Sequence, residues 1–168
     1  MAASGLKRGM RAVGAALAIS GVLVAGPVYA QDLCKASRSA TALAVRTLQS
    51  DLMVAALSCN IKAQYNTFAT KFQAPLTNNG KALKAEFDKR FGGKATQRLT
   101  TYVTELANQA SQRMSTQGSN YCAEVAGLFQ TVLSLDSVEL EGFARSHLAV
   151  MNGVEECAVE SVAMATFK

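Results

Sequence analysis

The chain predicts an all-α protein, a disulfide-stapled bundle of five or six helices following a cleaved signal peptide. Three observations lead there. Apolar residues recur at helical spacing between glycine and asparagine breaks. No segment sustains the alternation of β-branched and aromatic residues that marks a strand. All four cysteines lie downstream of an export leader.

The leader comes first. Lys7, Arg8 and Arg11 form a positive n-region, and Ala12 to Ala25 an apolar h-region. Gly26-Pro27 breaks the helix ahead of Val28-Tyr29-Ala30, a small-x-small cleavage site that leaves Gln31 as the new N-terminus. The h-region has 14 residues, short of the ~20 that span a bilayer. Residues 1–30 are therefore a secretory signal peptide, and stable membrane insertion is not expected after its removal. There is no lipobox ahead of Cys34 and no twin arginine. The mature chain, residues 31–168, is about one domain's worth.

Ser39 to Phe72 forms the long first helical region, free of glycine and proline. Leu48, Leu52, Ala55 and Cys59 make one line; Val54, Leu57, Ile61, Tyr65, Phe68 and Phe72 make the next. The pattern describes an amphipathic helix whose wide apolar face the other helices cover. A straight helix from Leu33 to Phe72 would be ~60 Å long, against a span of roughly 40 Å for a compact domain of this size. A break is expected at Ser50-Asp51 or at Cys59-Asn60, where a residue can cap a restarted helix. Pro75 closes the region. Thr77-Asn78-Asn79-Gly80 reads as a polar loop, with Asn78 or Asn79 capping a short helix to Phe91 that Gly92-Gly93 ends.

A longer helix follows from about Ala95 to Gln117, with Leu99, Tyr102, Val103, Leu106, Ala110 and Met114 as its stripe. Gly118 ends it, and Ser119 or Asn120 caps a fourth helix that buries Val125, Leu128, Phe129, Val132 and Leu133. Asp136 with Glu139 resembles a capping box for a fifth helix to about Val150, and Asn152 with Glu155 another for a last one.

An even number of cysteines in an exported chain implies disulfides. Zinc is disfavoured, because no C-x₂-C pair occurs and His147 is the only histidine. An unbroken helix puts Cys34 ~37 Å from Cys59, beyond the ~7 Å that a bridge allows between Cα atoms. Cys122 opens the helix after the long Ala95–Gln117 segment, so it can meet Cys59 at one end of the bundle. The favoured pairs are Cys59–Cys122 and Cys34–Cys157.

The leader removes three of the 17 basic residues, leaving 14 against 12 acids and a mature charge of +2. A global nucleic-acid function is thereby disfavoured. Charge is segregated nonetheless. Lys81, Lys84, Lys89, Arg90, Lys94 and Arg98 face only Glu86 and Asp88. They are candidates for contact with an anionic surface such as lipid headgroups or cell-wall polymer, although solvated helix faces would look the same.

Residues for catalysis are few. A single histidine excludes H-E-x-x-H, and no G-x-S-x-G elbow accompanies it. Ser146-His147 reads as solvated helix surface. Glu139, Glu141, Glu155 and Glu156 sit in first helical turns, where the helix dipole favours acids. C-x-x-C-H is absent, so covalent haem is excluded. Non-covalent haem between His147 and Met53 or Met114 competes with methionine as core filler. No cofactor, catalytic residue or metal ligand is therefore assigned.

The leading expectation is a non-catalytic interaction module of the bacterial cell envelope, periplasmic or else secreted, contacting a protein or anionic envelope component. The alternatives are a small periplasmic hydrolase using His147 and a haem carrier.

Overall fold

The computed structural model describes residues 37–118 and 120–152. The expected signal peptide and Ala30–Gln31 cleavage site, and Cys34, Cys157, Ser119, Glu155 and Glu156, lie outside the described residues. Within them every element is helical: α1 (Arg38–Ser58), α2 (Lys62–Lys71), α3 (Gln73–Phe91), a 3₁₀ turn (Gly92–Lys94), α4 (Ala95–Gln117), α5 (Asn120–Ser134) and α6 (Leu140–Asn152).

The first helix is the axis of the bundle. It is buried nearly all round, not along one face: 14 of its 21 residues are buried. The cause is composition, since Arg38, Arg46 and Asp51 are its only ionisable residues. It packs against α3, α4 and α6, with α2 and α5 also in contact, and it separates two apolar clusters. On one side Leu48, Leu52 and Ala55 meet Phe68 and Phe72, Val125, Phe129 and Val132 of α5, and Leu140 and Ala144 of α6. On the other, Ala42 and Leu43 meet Leu83 and Phe87 of α3 and Tyr102 and Leu106 of α4.

Of the two expected break points, Ser50-Asp51 is uninterrupted helix and Cys59-Asn60 is the break. Asn60 takes φ 57°, a left-handed conformation that asparagine tolerates better than most side chains. The Ile61 amide donates to the Ala56 carbonyl at 3.0 Å, which closes a Schellman-type turn.

The expected loop Thr77-Asn78-Asn79-Gly80 is instead helical, well inside α3. Pro75 is the third residue of that helix, where a backbone N–H has no intrahelical acceptor to lose. Asn79 is buried and caps nothing. Its Nδ2 donates to the Pro75 carbonyl at 2.9 Å and to Glu141 Oε1 at 2.8 Å, tying α3 to α6. Tertiary bonds override weak local propensity here. Gly92 and Gly118, both at positive φ, end α3 and α4. Asn120 is the first residue of α5 and not its cap. Half of the Asp136/Glu139 box is present: the Asp136 amide donates to Glu139 Oε2 at 2.7 Å.

Cys59 and Cys122 form a disulfide with Cα atoms 5.6 Å apart, joining the end of α1 to the start of α5. The other expected pair, Cys34 with Cys157, lies outside the described residues.

Two modest stability changes follow from this packing. Gly127 sits inside α5, and an added Cβ would meet nothing within 4 Å. Gly127→Ala should therefore raise unfolding free energy by about 0.5–1 kcal/mol in a urea titration; a loss would show that the position needs glycine for a reason other than helix entropy. The second concerns Tyr102. Burial, first, pushes its phenol from 10.0 up to about 12; Asp51 adds to the rise, while a hydrogen bond with Thr47 and the charge of Arg46 oppose it. The folded state then holds the proton more tightly than the unfolded one. Its contribution is fully present below pH 10 and is lost as pH rises through about 12, a fall of about 2–3 kcal/mol by linkage. Tyr102→Phe should flatten that alkaline fall. An unchanged pH profile would show that Tyr102 is not its source.

Candidate functional site: a polar cluster beneath an apolar cleft

Asp51 is the only acid of α1, and it lies on the buried side of that helix. A carboxylate removed from water needs partners, and two helices supply them. Arg113 of α4 donates through Nη2 to Asp51 Oδ1. His147 of α6 brings Nε2 to 3.3 Å from Oδ2. A carboxylate only accepts, so the second contact needs a proton on Nε2. The three side chains come from three different helices and tie them together. Their side-chain exposures are 10% for Asp51, 18% for His147 and 35% for Arg113, so the arginine alone reaches well into solvent.

His147 was expected on solvated surface, and the structure corrects this. The cause is helix register: Leu140, Ala144, Leu148 and Met151 form the inward stripe of α6, and His147 shares it. Phe143, one turn earlier, stacks on its ring with centroids 6.3 Å apart.

Above this cluster opens a cleft of about 330 Å³ between α4, α5 and α6. Its walls are apolar, from Val125, Leu128, Val150 and Met151, and Tyr121 is its one hydroxyl. Burial, with Asp51 adding to it, pushes the Tyr121 phenol up, and Arg113 opposes the rise. The phenol stays neutral at ordinary pH and is a hydrogen-bond group, not a nucleophile. Gln117 and Glu124 complete the polar lining. No serine, threonine or cysteine lines the cleft, so the Asp51–His147 pair has no hydroxyl or thiol beside it to activate. Among the described residues no three His, Cys, Asp or Glu side chains gather as metal ligands. Neither Met53 nor Met114 lines the cleft, and Met114 packs on the apolar cluster around α1.

The six basic residues singled out in the sequence are all exposed along α3, the 3₁₀ turn and the start of α4. Three of the six have local partners. Lys84 pairs with Asp88 at 2.6 Å, Arg90 approaches Glu86 at 3.9 Å, and Arg98 lies 5.7 Å from the centroid of the Phe91 ring. Lys81 and Lys89 line a groove beside Arg38, a cation that the basic run did not include. Glu141, in the first turn of α6, accepts from Asn79.

Sequence reasoning missed Asp51 and Arg113. A usable signal existed: Asp51 stands one turn from Leu48 and Val54, and Arg113 one turn past Ala110, so both interrupt apolar stripes. No helix among the described residues is long and apolar enough to cross a membrane. No family model, curated protein or solved structure matches the chain, so its site is read from its own geometry.

Proposed function

We propose that the protein is a non-catalytic binding module of the bacterial cell envelope, exported by its leader, and that the cleft over Asp51, Arg113 and His147 takes an apolar group of a protein or envelope component. The observation that carries this is the pairing of apolar walls with a polar floor whose charges already satisfy one another. Such a floor fixes the shape of the cleft and leaves its walls to do the binding. Val150 at the cleft is 81% exposed, an apolar side chain without cover among the described residues. The leader, and a disulfide of the kind that persists in oxidising compartments, support export to the periplasm.

The Asp51–His147 contact also favours a second reading, a hydrolase with His147 as base and water as nucleophile. Envelope extract passed over immobilised mature protein separates the two. The binding reading predicts retention of a component that Val150→Asp weakens and that elutes chemically unchanged. Release of a converted product, abolished by His147→Ala, would replace it with the hydrolase.

A further inference from the structure

We propose that the seam between α1 and α3 is a second binding groove, distinct from the cleft, and that it receives an extended acidic peptide segment of a partner protein. Two concavities lie along this seam. One, of about 570 Å³, has Arg38, Lys81 and Lys89 on its walls. The other, of about 210 Å³, has Arg46, Gln49 and Thr77. Arg38, Ala42, Arg46 and Gln49 follow one stripe of α1, and the small residues Gly80, Ala82 and Ala85 lie opposite on α3. Missing side-chain bulk is what leaves a channel between two otherwise close helices.

The channel is charged. Four cations line it against one acid, Glu86. Arg46 is the most telling of them. It is half-buried, its Nη1 donates to the neutral Gln49 Oε1 at 3.0 Å, and its Nε is buried with no hydrogen-bond partner. No carboxylate pairs with it, with Lys81 or with Lys89 among the described residues. A partly buried guanidinium without a counter-charge is an unusual arrangement in a finished core, and a planar anion completes it.

Shape then selects the class of anion. Arg38 and Arg46 are eight residues apart on one helix, hence ~12 Å. About four residues of extended chain cover that span at ~3.3 Å each, so carboxylates four apart reach both arginines. Leu76 and Ala82, both half-buried, offer apolar contact, and Gln49, Thr77 and Asn78 offer hydrogen bonds to peptide groups. A polyphosphate has no apolar part for such a floor. A flat membrane surface does not enter a channel between helices.

The test uses mature, disulfide-intact protein and a labelled peptide with glutamates four residues apart, separated by valine and threonine, followed by fluorescence anisotropy at low salt. Saturable binding is expected, weakened about three- to tenfold by Arg46→Gln or by Lys81→Gln and blocked by Gly80→Leu. A Cβ added at Gly80 meets nothing within 4 Å, and unchanged thermal melts confirm that each variant is folded. Lys94→Gln, outside the channel, should leave affinity unchanged. Absence of binding, equal losses from Lys94→Gln and Arg46→Gln, or tighter binding of polyphosphate or anionic vesicles than of the peptide would each overturn the proposal.

Discussion

Replacing Cys59 and Cys122 together by serine is expected to lower unfolding free energy by about 4 kcal/mol. The bridge closes 63 residues of chain, and constraining a loop of that length in the unfolded ensemble gives a value of this size at 25 °C by the chain-entropy argument. The fold adds a reason for the loss to be felt locally. The bridge pins the start of α5 to the turn where α1 ends, and there Asn60 holds a left-handed backbone. Urea titrations of the oxidised wild type and the double variant measure the difference. A loss below about 1 kcal/mol would mean that Phe68, Phe72 and Phe129 hold this end by packing alone.

Asp51→Ala is expected to remove about 3 kcal/mol. The substitution leaves the Arg113 charge and the His147 N–H without their common acceptor, and breaking a buried pair from one side is costly. The figure sits at the low end for such pairs because Arg113 is 35% exposed and can turn toward water. A double-mutant cycle of Asp51→Ala with Arg113→Ala isolates the pair and should give a coupling of about 1–2 kcal/mol. Coupling near zero would show that Asp51 is held by packing and that the cluster carries no energy of its own.

Much of the architecture was legible because it rests on periodicity and punctuation. The stripe from Leu99 to Met114 and the glycines that follow α3 and α4 place α4 and the end of α3 within a residue or two, whereas α3 starts at Gln73, several residues before the expected cap at Asn78 or Asn79. The Cys59–Cys122 bridge follows from the expectation that α4 returns the chain to the end of α1. What failed was context. Thr77-Asn78-Asn79-Gly80 has the composition of a loop, and only Glu141, 62 residues away, makes Asn79 a buried bridge. The cluster was hidden for the same reason: Asp51, Arg113 and His147 are separated by 62 and 34 positions, and each alone resembles an ordinary surface charge. Only the burial of all sides of α1 makes Asp51 an interior group.

The cleft over Asp51, Arg113 and His147 is proposed to bind without catalysing. Amide chemical-shift mapping of ¹⁵N-labelled mature protein against fractionated envelope extract tests it most directly. Binding without catalysis predicts a fraction whose component shifts Tyr121, Val125, Leu128, Val150 and Met151 together, with the component recovered intact. Shifts confined to other faces for every fraction, or conversion of the component in a manner lost with His147→Ala, would contradict it.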